Sequence, residues 1–194
     1  MTAQAPPETA PGGSDGDVLD LVGVGFGPSN LALGILIEEE NTTREPGDRT
    51  TARFLEKQPY FGWHDGMLLP GTDMQISFLK DLVTQRDPVS SYSFLNYLHD
   101  RGRLSAFINL STFTPSRHEF HDYLSWAAGR VTVPVSYGTS VERISWNGDH
   151  YEVTTSSSRG QEILRARSVV LGTGIRPHLP EGWRPVPGSS TITS

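Results

Sequence analysis

Residues 21–30 read LVGVGFGPSN, and the reading of this stretch decides the fold. It closes an apolar run, DVLDLVGV over 17–24, that suits a buried parallel strand ending on glycine. After it, PSNLALGILIEEE over 28–40 reads as a helix. Proline is favoured at a first helical position because its missing N–H has no intrahelical partner there. Strand, glycine turn and helix in this order form the phosphate-binding unit of Rossmann-like folds. In that unit Gly23 permits the tight turn and Gly25 lets the backbone approach a pyrophosphate. The helix N-terminus adds free N–H groups and the positive end of a dipole. The usual third glycine of G-x-G-x-x-G is replaced here by Pro28. A plain glycine-rich turn would carry similar letters, but the strand before and the helix after favour the binding reading.

Working outward, NTTREPGDRT over 41–50 is a polar loop, and ARFLEK over 52–57 reads as a second short strand that ends on Glu56. An acidic residue there can accept hydrogen bonds from ribose hydroxyls. Its offset from the glycines exceeds the usual spacing of roughly 20 residues, and the polar loop accounts for the excess. A solvated strand-end carboxylate is the other reading. Residues 58–90 are rich in Gly, Pro, Met and aromatics and show little regular period. Long aperiodic stretches of this kind are more often functional than accidental. SYSFLNYLHDRG reads as a helix. Residues 117–129 give a cleaner one, with Phe120, Tyr123, Leu124 and Ala127 on one face, and Ser116 and Glu119 at capping-box spacing.

From 131 to 155 the short runs VTVPVSYG, SVERISWNG and HYEVTTS turn to β character, and Asn147-Gly148-Asp149 suits a hairpin turn. RARSVVLGTGIRPHLP then reads as a strand running into Gly172-Thr173-Gly174. Two glycine turns at strand ends are expected to meet near one dinucleotide. The element order predicts an α/β fold, a Rossmann-like domain with a parallel sheet and an inserted β-meander.

The bulk properties exclude several classes. A chain of 194 residues with 36% hydrophobic and 20% charged content fits a globular core. A net charge of −6 disfavours nucleic acid or an anionic membrane as the main partner. With no cysteine, disulfides, zinc thiolates and thiol nucleophiles are excluded, which is compatible with a reducing cytosol and a cytoplasmic location. No run approaches the roughly 18 apolar residues of a membrane helix. Residues 1–16 lack a signal peptide's basic start and apolar stretch and read as a disordered tail. Lys80, in ISFLKDL, suits a point-charge clamp for a carboxylate, or equally a lysine that lies over the core and pairs with Asp81. His64, His118 and His121 have no metal-like partner set, and no G-x-S-x-G elbow marks a hydrolase.

The middle segment, FGWHDGMLLPGTDMQISFLKDLVTQRDPVSSYSFLNYL with TFTPSRHEFHDYLSWAA, closely resembles the flavin-dependent N-hydroxylating monooxygenases of siderophore biosynthesis. These are the L-ornithine N5- and L-lysine N6-monooxygenases. GVGFGPSNLAL and VVLGTGIRP match the same family, and the likeness covers nearly all of 17–180. It implies FAD held by Gly23, Gly25, Gly27 and Pro28, with Ser29 and Asn30 beside them. Glu56 and Lys57 would sit near the adenosine, and Val141 would reach the adenine by its backbone. Trp63, His64 and Met74 would line the flavin, Gln75 would contact it, and Gly172, Thr173 and Gly174 would close the site. Lys80 would bind the substrate through its α-carboxylate.

The implied reaction takes hydride from NADPH and oxygen from O2 to hydroxylate the terminal amine of L-ornithine or L-lysine. TFTPSRHEF looks more like the ornithine enzymes. No side-chain acid or base is implied, since the flavin carries the chemistry. Family members are more than twice this length and continue into an NADPH-binding domain. The resemblance therefore implies a partial FAD-binding domain over 17–180, truncated before the NADPH domain, with 181–194 as an unstructured end. Taken alone it would be inactive with NADPH; an inactive flavin-binding fragment or partner subunit is the alternative reading. The family is often multimeric, so a homo-oligomer is a further expectation.

Overall fold

The computed structural model of the chain describes residues 18–63, 66 and 68–174. The expected tail, His64 and everything beyond 174 lie outside the described residues. Ten elements follow in order: β1 (Leu19–Val24), α1 (Pro28–Thr43), β2 (Ala52–Leu55), α2 (Phe94–Asp100), α3 (Leu104–Asn109), α4 (Arg117–Ala128), β3 (Val135–Ser136), β4 (Ser140–Trp146), β5 (Tyr151–Ser157) and β6 (Gly160–Leu171). The strands make one six-stranded sheet in the order β3-β2-β1-β6-β5-β4. β3, β2, β1 and the end of β6 run parallel; β4, β5 and the start of β6 form an antiparallel meander. The α/β fold with an inserted meander is as the sequence predicts.

One strand joins the two halves. Along β6 the partner on one side is β5 as far as Ala166, which faces Tyr151. From Ala166 onward the partner is β1, and Val24 ends the pairing opposite Leu171. Alternation along the strands then builds a core on both faces of the sheet. Phe54 and Ala52 on β2 face α1, where they pack with Phe26, Leu31, Ile35 and Ile37. Val22, Leu55, Val153, Leu164 and Ala166 form a second cluster that seats the meander.

A third cluster fills the space under residues 58–90. Phe94 and Tyr97 from α2, Phe107 from α3, and Phe120 and Tyr123 from α4 are all buried there with Met74. Phe94 meets Tyr123 edge-on at 5.4 Å and Phe107 at 5.5 Å, the arrangement that the ring quadrupole favours. Ser116 accepts the Glu119 N–H at 3.1 Å, so the expected cap forms. Its reciprocal half does not, because the buried Glu119 side chain lies toward Arg103.

Three boundaries differ from the sequence reading, each for a local reason. The helix from Pro28 runs on to Thr43, where the Thr42 and Thr43 hydroxyls bond back to the Glu39 and Glu40 carbonyls. Of VTVPVSYG, Val135 and Ser136 alone are strand, and they pair in parallel with β2 and not with the meander. Pro134 has no N–H to extend that pairing, although its carbonyl accepts from Phe54. SYSFLNYLHDRG is a short helix that starts only after the Ser93 cap, and a separate helix, α3, follows beyond Gly102 at φ 67. Among the described residues no helix is long and apolar enough to cross a membrane.

Candidate functional site

The two glycine turns meet. The Gly172 N–H donates to the Val24 carbonyl at 2.7 Å, and the Gly25 N–H donates to that of Leu55 at 2.8 Å. Gly25 has φ 82, a conformation that costs an L-residue roughly 1–2 kcal/mol. A Cβ there would stand 2.5 Å from the Gly172 carbonyl oxygen, and one at Gly23 would stand 2.2 Å from the Phe54 ring. These two glycines therefore make room for protein. Gly27 has nothing within 4 Å of where its Cβ would be. Asn30 is 1% exposed, and its amide holds the turn through the Val24 and Gly25 carbonyls at 3.3 and 2.6 Å.

Glu56 belongs to the same turn. One carboxylate oxygen accepts the Phe26 N–H at 2.8 Å and the other the Gln58 N–H at 2.9 Å. It is thus a half-buried clamp on the glycine loop, with lone pairs left for further donors. The chain from 136 to 139 runs beside it: the Glu56 N–H donates to Ser136, and the Thr139 N–H donates to Glu56. Tyr137 stands there too, its phenol pushed up to about 12 by burial and by the nearby Glu56 charge.

α1 begins with no side-chain cap and no acidic residue in its first turn, so its N-terminal N–H groups are open to an anion. Pro28 and Ser29 at this end line a cleft of about 280 Å³. Trp63, Met74, Ile76, Lys80, Asp81 and Leu82 line the other sides. Trp63 stands edge-on to Phe120 at 5.9 Å. Lys80 is exposed, and its ammonium has no hydrogen-bond or ion-pair partner among the described residues. A helix start open to an anion, an open Gly27, a largely apolar wall and, among the described residues, the unpaired Lys80 ammonium fit a large anionic cofactor with a flat apolar head.

The family model described as L-lysine 6-monooxygenase/L-ornithine 5-monooxygenase matches residues 17–194. The chain belongs to this monooxygenase family. The L-ornithine N(5)-monooxygenase of Burkholderia cepacia is 48% identical over 174 residues, which are 86% of this chain and 38% of that protein. The ornithine N-hydroxylase of Kutzneria sp. 744, solved with reduced FAD, NADP+ and L-ornithine, is 44% identical with a TM-score of 0.78. The match covers 86% of this chain and 40% of that one. The FAD-bound cadaverine monooxygenase of Erwinia amylovora, from desferrioxamine biosynthesis, is 35% identical with a TM-score of 0.76, over 86% of this chain and 38% of that one. The chain thus spans about two fifths of the length of these monooxygenases.

The structure sorts the described residues named above among the glycine turns, the cleft, the start of β4 and the surface. Gly23, Gly25, Gly27, Asn30, Glu56, Gly172, Thr173 and Gly174 gather at the glycine turns. Pro28, Ser29, Trp63, Met74 and Lys80 share the cleft. Val141 lies at the start of β4, where a bulge shifts the register between it and Arg143. Lys57 and Gln75 are exposed and do not line the cleft. The pairing of Lys80 with Asp81 that its sequence neighbourhood allowed does not form. The Asp81 carboxylate faces backbone N–H groups instead. Sequence reasoning missed that role, although the D-x-x-T spacing of Asp81 and Thr84 is a local capping pattern that signals it.

Proposed function

We propose that this chain is the FAD-binding half of an L-ornithine N5-monooxygenase that serves hydroxamate siderophore synthesis. The observation that carries this reading is one cleft shared by the uncapped start of α1 and the unpaired Lys80. The N–H groups of Ser29 and Asn30 would take the diphosphate. Gly27 leaves room for it, and Asn30 contributes by its backbone because its side chain holds the turn. Glu56 would accept ribose hydroxyls on its remaining lone pairs, with Lys57 and the Val141 backbone further along the adenosine. Trp63 and Met74 would form the dry wall against the flavin, with His64 and Gln75 beside it and Gly172 to Gly174 closing over it.

The bound flavin, reduced by NADPH, supplies the oxygen-activating chemistry. Lys80 would anchor the substrate α-carboxylate, so the chain length of the amino acid sets where its terminal amine lies. The ornithine names of the Burkholderia and Kutzneria relatives support ornithine over lysine. In the whole enzyme an NADPH domain would complete the reaction, and residues 17–180 would form a partial FAD-binding domain in a cytoplasmic protein.

The test is reconstitution. Protein mixed with FAD and desalted should stay yellow, and the whole protein should form N5-hydroxyornithine with NADPH and O2. Protein that stays colourless overturns the cofactor assignment.

A further inference from the structure

Lys80 ends a one-turn 3-10 segment, Phe78–Lys80, within an otherwise irregular stretch. A lysine has a long flexible stem, and on a loose loop it would be a poor anchor. The two residues after it remove that looseness. Asp81 Oδ1 accepts the N–H groups of Val83 and Thr84 at 3.0 and 2.7 Å. Its Oδ2 accepts the Thr84 hydroxyl at 2.8 Å and the Phe94 N–H at 2.7 Å. Phe94 opens α2, so one carboxylate ties the loop to that helix. The Leu82 N–H donates to the Tyr123 hydroxyl at 3.1 Å, which in turn donates to the Tyr92 carbonyl at 2.9 Å. Tyr123 is fully buried on α4. The loop is therefore fixed to two helices at consecutive residues.

The same bonds settle the charge of the cleft. An acid next in sequence to Lys80 is the nearest competitor for its ammonium. Asp81 lines the same cleft, but its carboxylate is taken up by four donors, and the Lys80 ammonium has no ion-pair partner among the described residues. We propose that Asp81 and Tyr123 are positioning residues for Lys80. They fix its backbone, and the donors that occupy Asp81 leave the ammonium free for a substrate carboxylate. The inference rests on the reading of Lys80 given under Proposed function.

The test compares L-ornithine with 1,4-diaminobutane, which lacks the carboxylate, by calorimetry on the full chain loaded with FAD. Lys80→Met should abolish the preference for ornithine. Asp81→Asn and Tyr123→Phe should each weaken ornithine binding on the order of tenfold, a loss of the size expected when one buried hydrogen-bond partner is removed. Diaminobutane binding and cooperative unfolding should be retained, with faster amide exchange over 81–84. If Lys80→Met collapses the preference while both other variants keep it, the positioning role is wrong. Equal weakening of both ligands means a purely structural role and also overturns it. If Lys80→Met keeps the preference, or the wild-type protein binds neither ligand, the carboxylate reading of Lys80 falls and this inference with it.

Discussion

The cleft has two walls built in opposite ways. On the α1 side the turn that brings Pro28 and Ser29 to the cleft is shaped by close packing, with Gly23, Gly25 and Gly172 where a Cβ would collide with Phe54, the Gly172 backbone or Asn30. On the Lys80 side an irregular chain is held by side chains from elsewhere: Asp81 reaches Phe94, and Tyr123 reaches Leu82 across 41 residues. At Gly23, Gly25 and Gly172 the first side has no space for an added Cβ. The second depends on its polar partners. A turn shaped around glycines suits a ligand that must be approached closely. A wall tied by side-chain hydrogen bonds suits a charged anchor that must keep one position.

The sharpest way to break the first wall is Gly25→Ala. Left-handed strain together with the 2.5 Å approach to Gly172 should cost about 3 kcal/mol in urea unfolding, and FAD should no longer be retained. Glu56→Ala attacks the same wall more gently, since it strands the Phe26 and Gln58 N–H groups. A loss of about 1–2 kcal/mol and weaker FAD binding in a fluorescence titration are expected.

On the other wall, Thr84→Val keeps the volume and removes the hydroxyl bonded to Asp81. Unfolding should show a loss of about 1 kcal/mol with FAD affinity unchanged. If it lowers FAD affinity as Glu56→Ala does, the two walls are not independent.

Glu119, behind this wall on α4, tests its electrostatics. Burial pushes its carboxyl up, Arg103 opposes the shift and Asp122 adds to it. Arg103 Nη2 stands 3.1 Å from an oxygen that accepts no hydrogen bond among the described residues. The folded protein therefore holds the proton more tightly than the unfolded chain. The stability linked to it is full below the ordinary carboxyl value of 4.5 and is lost as pH rises through the raised one. Glu119→Gln should flatten the fall in unfolding free energy above that value, measured at a series of pH values.

The smallest stability effect belongs to Lys80→Met. Exposed and unpaired, Lys80 should contribute less than about 0.5 kcal/mol to folding. FAD retention should be unchanged, and L-ornithine should bind no better than 1,4-diaminobutane.

The contrast between the walls also explains what the sequence made legible. Gly23, Gly25 and Pro28 act within one turn, so their spacing announces the strand, the loop and the helix. The face of α4 was equally plain, because Phe120, Tyr123, Leu124 and Ala127 recur with the period of a helix. Residues 58–90 carry no period because their conformation is imposed by distant partners. The Met74 N–H bonds to Pro115, and that of Phe78 bonds to Phe113. Such a loop can be recognised by likeness to a family, but its shape follows from contacts that no local pattern encodes. β3 fails for a related reason: two residues beside a proline are strand only because β2 is there to pair with them.

The double pairing of β6 has a consequence for how the protein is made. Arg167 meets Asp20 across 147 residues, and Gly172 reaches the turn after β1 from as far away. The loop that opens the sequence cannot close on the ribosome when it first emerges, because its packing partner is among the last described residues to be synthesised. Contacts of such long range slow folding, since the loop entropy must be met before they form. The local helices and the hairpin of β4 and β5 are expected to form first. The glycine turn would then be completed late, so cofactor capture belongs to the end of folding.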